Sequence, residues 1–272
     1  MLDVLFRISD FYLFILLSFV SIAISIVFIC LVKWFIPVHL RYQDNAVIGN
    51  TASLISIIYG VLAGLSALYL INNNSYASDA VQREANAVAN VYRYSQWLQD
   101  PARSKIQTEI QTYIQKVIDV EWPLMEKGKK IDGNGDALVE EMTNQLIHYS
   151  AAAGSEVLAL REMLTETKNL YNARQQRIHM SYSELSPELW VVILIGTILT
   201  LFINFLFGVN FYLHIITVVA VAIMTSSMIF LLVALDRPFQ GEFVIEPVAF
   251  KDLLSHIRFV EKPSSNNDIA VK

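Results

Sequence analysis

A single cysteine, Cys30, in 272 residues excludes an intramolecular disulfide. Set in an apolar run, it reads as a small buried side chain. No P-loop, dinucleotide fingerprint or GxSxG elbow occurs. The five histidines, His39, His148, His179, His214 and His256, show no metal-ligand spacing. No set of catalytic groups converges, so the chain does not read as an enzyme, and no cofactor or metal is called for. Basic residues are outnumbered, 20 against 25, for a net charge of −5. That balance speaks against a nucleic-acid partner, which needs a concentrated basic face. Asp132-Gly133-Asn134-Gly135-Asp136 opens like an EF-hand loop. Its sixth position is Ala137 and its twelfth Thr143, where the sharp turn needs Gly and the ion needs a bidentate Glu. It reads as a solvent loop whose Asp136 caps the next helix, and Glu140-Glu141 as a solvated helix face.

Charge is also missing from three long runs, 11–32, 46–71 and 189–235. Hydrophobic residues make up 54% of the chain and mean hydropathy is +0.45, too apolar for an ordinary soluble domain. A crossing helix needs roughly 20 apolar residues. The last run is long enough for two, with Gly208-Val209-Asn210 as the turn. Four spans follow, at about 11–34, 46–71, 188–207 and 211–235. The apolar segment after Arg7 is too long for a signal-peptide core and has no clear cleavage site, so it reads as a retained first span.

The spans divide the chain into a first hairpin (1–71), a helical insert (72–187), a second hairpin (188–235), a C-terminal segment (236–262) and a disordered tail (263–272). Four spans place both termini and the insert on one side. The short loop opposite carries Lys33 and Arg41. The insert side carries Arg7, Arg83, Arg93, Arg174, Arg177, Arg237 and Lys251. The positive-inside rule makes that side cytoplasmic and the membrane an inner one. The insert is helical: Ile106, Ile110, Tyr113, Ile114 and Val117 recur at helical spacing. Asp100-Pro101 reads as a helix start, and Ser186-Pro187-Glu188 as the capped start of the third span. Segments 72–100 and 155–182 read as extensions of the second and third spans. The fold class is therefore all-α, with four transmembrane helices and a helical cytoplasmic insert between the second and third.

The second span carries an uncommon pattern. Gly49, Ser53, Ser56, Gly60, Ala63 or Gly64, and Ala67 recur every three or four residues and share one helical face, with Asn45 and Asn50 near its outer end. Large aliphatics lie opposite. Weaker stripes occur on the first span (Ser18, Ser21, Ser25) and the third (Gly196, Thr200, Asn204, Gly208). Small residues let membrane helices approach and hydroxyls bond across the contact, which accounts for the first and third stripes. For the second, two readings stand: close packing, or the wall of a pore lined by Asn50, Ser53, Ser56, Gly60, Gly64 and Ala67. Such a wall has no acidic ring to favour cations. Lys33 and Arg41 at the outer mouth would raise the local anion concentration.

Several short motifs fall in a recognisable order. Glu84-Ala85 follows the second span, Glu121-Trp122-Pro123 lies in the insert, Leu189-Trp190 opens the third span, and Asp236-Arg237-Pro238-Phe239-Gln240-Gly241 closes the fourth. Over most of residues 40–250 this set resembles a bacterial membrane family described as bestrophin-like. Bestrophins are pentameric anion channels whose second transmembrane helix lines the pore. The resemblance implies a homo-oligomer in lipid, pentameric, conducting inorganic anions such as chloride, with no calcium site carried over. Glu84, Glu121, Trp122, Arg237, Pro238 and Gly241 would form an elbow coupling insert to pore, with Arg237 pairing Glu121 or Glu84. The alternative is a non-conducting membrane scaffold whose helical bundle binds a partner protein.

Overall fold

The computed structural model describes residues 10–35, 44–151, 154–241 and 244–261. Arg41 and the tail 263–272 lie outside the described residues. Among those described, regular structure is entirely helical, with no strand. The helices are α1 (Asp10–Phe35), α2 (Asn45–Ser95), α3 (Ala102–Lys116), α4 (Trp122–Glu126), α5 (Asn134–His148), α6 (Gly154–Ser181), α7 (Pro187–Phe205), α8 (Phe211–Leu235) and α9 (Val248–Glu261). A π-helical turn, Val117–Glu121, links α3 to α4. Four of these helices, α1, α2, α7 and α8, are long and apolar enough to cross a membrane.

Local chemistry sets the helix ends. Ser186 accepts a hydrogen bond from the Leu189 N–H, followed by Pro187 at the first helical position and Glu188 in the first turn. Asn210 accepts from the Tyr212 N–H and opens α8 after the expected turn. The start of α3 is one residue later than expected: the helix begins at Ala102 with Pro101, not Asp100, at the cap position, and Asp100 accepts from the Ser104 N–H and hydroxyl from just outside it. Nothing stops α2 for 51 residues: it contains no proline, and its last glycine is Gly64. The expected extension of the third span is interrupted, because α6 ends at Ser181 and α7 starts afresh at Pro187.

The chain forms two compact units, 1–74 with 183–244, and 75–182 with 245–272. The C-terminal segment is thus shared between them, and α2 contributes to both.

In the first unit α1 runs along α8. Ser18 and Ser226 hydroxyls meet at 3.2 Å, and Ser21 donates to the Ala222 carbonyl. Phe14 meets Phe230 edge-on, and Phe28 stacks on Phe205. One apolar cluster gathers Tyr59, Ala63, Ala67 and Leu70 of α2 with Leu185, Ile193 and Leu232; another joins Ile29, Phe205 and Val218. A Cβ on Gly196 would come within 2.7 Å of the Tyr59 ring, so glycine there admits the ring. Asn45 clamps the N-terminal end of α2 to Gly208, donating to its carbonyl at 3.0 Å and accepting from its N–H at 2.8 Å. Cys30 departs from expectation: it is exposed on α1, on a helix that buries little of itself in the subunit.

Asp236 ends α8, where it is buried and accepts from the Leu185 N–H at 2.7 Å. Burial pushes its carboxyl above the ordinary range, against the pull of the Leu185 N–H. Its folded pKa is therefore higher than its unfolded one, and the native state holds the proton longer. The penalty is absent below the unfolded value of about 3.9 and complete once pH has risen through the folded value. Asp236→Asn keeps an acceptor for Leu185 and removes the charge. Thermal unfolding from acid to neutral pH is expected to show a flatter profile and a higher midpoint at pH 7 than the wild type.

The second unit packs around Ile106, Ile110, Tyr113 and Ile114 of α3, Met142 and Leu146 of α5, Met163 and Leu170 of α6, and Phe250 and Ile257 of α9. The π-helical turn widens the helix and keeps Val117, Glu121 and Trp122 all buried. The Trp122 indole donates to the Ile245 carbonyl and lies edge-on to Phe250.

Candidate functional site

Two arrangements carry functional chemistry: a buried ion network in the second unit, and an exposed face of α2 in the first.

The network centres on Arg177. Its Nε donates to Glu84 Oε2 at 2.6 Å, and its Nη2 donates to Glu84 Oε1 at 3.0 Å and to Glu121 Oε2 at 2.7 Å. Arg174, one turn earlier on α6, donates from Nη1 to Glu121 Oε2 and from Nε to Asp136 Oδ1, both at 2.7 Å. The four side chains of Glu84, Glu121, Arg174 and Arg177 are fully buried, while Asp136 is 39% exposed. Tyr113 donates its hydroxyl to Glu84 Oε1 at 2.6 Å. The guanidinium groups lie over aromatic rings, Arg174 over Tyr113 and Arg177 over Trp122. Burial opposes the charge on Arg177, but Glu84 and Glu121 outweigh it and hold its pKa above the ordinary value. Burial, and then the neighbouring Glu84 carboxylate, push the Tyr113 hydroxyl well up. The two guanidinium groups thus stay charged and the Tyr113 hydroxyl keeps its proton. Glu121 Oε1 and Arg174 Nη2 are buried without a hydrogen-bond partner, and Gly135 lies against both.

This geometry revises two expectations. Asp136 does not cap α5: it lies inside the first turn and binds Arg174 and Gln175. The pairing expected for Arg237 is also corrected. Glu84 and Glu121 are taken by Arg174 and Arg177, whereas Arg237 donates to Glu184 at 3.1 Å and to Gln240. Trp122 sits in the second unit beside Glu84 and Glu121, whereas Pro238 and Gly241 sit with Arg237 in the first. Gly241 has φ +103°, a conformation that favours glycine. Among the described residues, no group of three His, Cys, Asp or Glu side chains is placed to hold a metal.

On α2, Asn50, Ser53, Ser56, Gly60 and Gly64 are all exposed on the isolated subunit. A Cβ on Gly60 or Gly64 would meet nothing within 4 Å. Ala67 is corrected: it is 7% exposed and belongs to the subunit's own apolar cluster. The Ser53 hydroxyl donates to the Gly49 carbonyl at 2.9 Å, leaving only lone pairs outward. Ser56 has no hydrogen-bond partner among the described residues. Lys33 is exposed at the end of α1, with its ammonium 4.1 Å from the centre of the Phe211 ring. The stripes of the other spans have a different fate. Ser18, Ser21 and Ser25 face α8 or are buried, and Gly196 and Thr200 pack inside the subunit.

A family model described as the bestrophin-like domain matches residues 19–250. The chain belongs to the bestrophin-like family. Its fold is similar to that of a solved bacterial bestrophin homologue from Klebsiella pneumoniae carrying a point mutation. The TM-score is 0.72 at 12% identity, over 92% of this chain and 99% of that one. A second mutant of the Klebsiella homologue gives a TM-score of 0.68 at 13% identity, over 89% and 97%. A structure described as a membrane protein gives 0.68 at 12% identity, over 92% and 99%. No curated protein matches the sequence.

In this bestrophin-like chain, sequence reasoning singled out Glu84 and Glu121 but missed Arg174, Arg177, Tyr113, Asp136 and Gly135 around them. A signal was present. Met163, Leu170, Arg174, Arg177 and Ser181 follow one helical face of α6, and all are buried. Two arginines at core positions of a helical repeat call for buried acids elsewhere.

Proposed function

We propose that this bestrophin-like chain is one subunit of a homo-oligomeric channel for inorganic anions, with α2 at the central passage. Asn50, Ser53, Ser56, Gly60 and Gly64 form the wall, and the assembly is a pentamer as in bestrophins. The insert and both termini face the cytoplasm of a bacterium bounded by an inner membrane. Lys33 and Arg41 collect anions at the opposite mouth. One observation carries the reading: of the small-residue stripes, those of α1 and α7 are used up inside the subunit, while that of α2 is left open from Asn50 to Gly64. The wall has no carboxylate, which suits anions better than cations. Ser56 is a free hydroxyl donor at mid-span, and Gly60 and Gly64 keep the wall narrow and smooth.

Purified protein in planar bilayers is expected to carry anion-selective current. Ser56→Leu puts a branched apolar side chain into the wall and is expected to cut conductance by about tenfold or more through dewetting. A folded preparation that passes no protein-dependent current across voltage and calcium ranges would overturn the proposal.

One observation favours a scaffold instead. Tyr94, Trp97, Leu158 and Ala159 line an apolar cleft of about 360 Å³ on the second unit, and Trp97 is 61% exposed. A monomer or dimer in detergent would support that reading over the channel.

A further inference from the structure

The second unit also holds a polar cleft of about 380 Å³ between Arg83–Asn90 of α2 and Glu166–Gln176 of α6. The segments run antiparallel, since Arg83 meets Gln176 and Gln99 meets Glu156. Ala87 and Ala173 form the buried floor. The walls are carboxamides. Asparagine is a poor helix former because its amide competes for backbone groups, yet Asn86, Asn90, Asn169 and Asn172 all sit within helices here. Asn90, Asn169 and Asn172 have no hydrogen-bond partner among the described residues. Unfavourable helix residues without an internal contact mark a site where local preference has yielded to function.

The hydrogen bonds at one end give the cleft a polarity. Arg83 Nη2 donates to Gln176 Oε1 at 3.0 Å, and arginine only donates. The bond therefore occupies the Gln176 oxygen and leaves its NH₂ available. Gln82 donates to Asn86 Oδ1 at 3.1 Å, which leaves Asn86 as a donor too. The Arg83 end thus presents a guanidinium and two amide NH₂ groups whose oxygens are engaged. Glu166 lines the far end, ten residues along α6, roughly 15 Å at the helical rise. One cation and one carboxylate make the cleft neutral as a whole, which disfavours a multiply charged guest.

We infer that the Arg83 end of this cleft binds a small oxyanion, a monoanionic carboxylate in preference to phosphate. The guanidinium takes the carboxylate, and Asn86 and Gln176 donate beside it. Asn90, Asn169 and Asn172 meet the rest of the ligand, and Glu166 selects against a second negative charge. The site does not depend on whether α2 lines a conducting pore.

The test uses the full chain in detergent, with acetate followed by saturation-transfer NMR and inorganic phosphate by phosphorus line broadening, at matched ionic strength. Wild type is expected to bind acetate more tightly than phosphate. Arg83→Gln is expected to weaken acetate about tenfold or more, as loss of a charge-assisted fork does. Arg83→Lys, which keeps charge without the fork, should fall between them. Glu166→Gln should strengthen phosphate. Both positions are on the surface, and an unchanged elution volume and melting point establish that the variants are folded. No transfer from acetate, transfer equal in wild type and Arg83→Gln, or tighter phosphate than acetate in the wild type would each overturn the inference. No current enters these measurements, so their failure is distinct from failure of the channel proposal.

Discussion

Arg177→Leu is expected to cost the second unit about 3–5 kcal/mol, the range for removing one partner from a buried ion pair. The reason is what remains behind. Arg177 supplies three hydrogen bonds to Glu84 and Glu121, and all three side chains are fully buried. Without it, Glu84 keeps only the Tyr113 hydroxyl and Glu121 keeps Arg174, so the Glu84 carboxylate is left fully buried with no cation paired to it. Arg177→Lys should recover only part of the loss, because a point charge cannot reproduce the fork that holds both oxygens of Glu84. The measurement is urea unfolding of the full chain in detergent, followed by Trp122 fluorescence with Trp34, Trp97 and Trp190 replaced by phenylalanine.

The same network makes an opposite prediction when its members are removed together. Replacing Glu84, Glu121, Arg174 and Arg177 jointly by apolar residues of similar volume, with Tyr113→Phe so that its buried hydroxyl is not orphaned, is expected to be near neutral, because the desolvation of four charges goes with them. The contrast between single and joint replacement separates the cost of an orphaned charge from the net worth of the network. A cost for Arg177→Leu within about 0.5 kcal/mol, the range of an ordinary surface change, would show that water reaches these carboxylates. The buried geometry would then not describe the protein in solution.

The four spans were legible because charge-free runs of that length have few other uses, and the unbroken α2 because it contains no residue that stops a helix. Their small-residue stripes were legible as faces but not as destinations. Ser18, Ser21 and Ser53, Ser56 look alike in sequence, yet the first pair meets α8 and the second pair faces outward. Periodicity fixes which residues share a side, whereas the partner is decided by packing across the chain. Ala67 shows the limit at finer scale: one helical step from Gly64, it turns into the subunit's core. Glu84 and Glu121 stood out as acids on apolar helices, but their partners were sought at Arg237. Arg174 and Arg177 read as positive charge on the insert side, although their spacing with Leu170 and Ser181 puts them on the buried side of α6. The π-helical turn at Val117–Glu121 had no legible signature, since one extra residue in a helical turn leaves composition unchanged.

Gly135→Ala is the second large effect expected, and it tests the network from outside its charges. Gly135 does not have a positive φ, unlike Gly128 and Gly241, so alanine meets no backbone strain there. The obstacle is space. A Cβ at Gly135 would lie 2.5 Å from Arg174 Cζ and would also overlap Arg174 Nη2 and Glu121 Oε1. Arg174 Nη2 and Glu121 Oε1 make no hydrogen bond themselves, but their side chains are held through Arg174 Nε and Nη1 and through Glu121 Oε2, so α5 must lift or those bonds must give. Overpacking alone costs about 1–3 kcal/mol, and parting a buried pair adds to it, so a loss of about 3 kcal/mol or more is expected. Gly133→Ala is the control two residues away: it is exposed and has nothing within 4 Å of its added carbon, and it should change stability by less than about 0.5 kcal/mol. The two changes share chemistry and unfolded-state effect; alanine is mildly unfavourable at the N-cap Gly133 and favourable inside α5 at Gly135, so a larger loss at Gly135 runs against backbone preference and reports the steric term. Equal midpoints would mean that α5 does not lie across Arg174 and Glu121 as described. If the loss at Gly135 shrinks when Glu121 and Arg174 are both made alanine, the coupling is direct, as neighbouring residues that share one contact require.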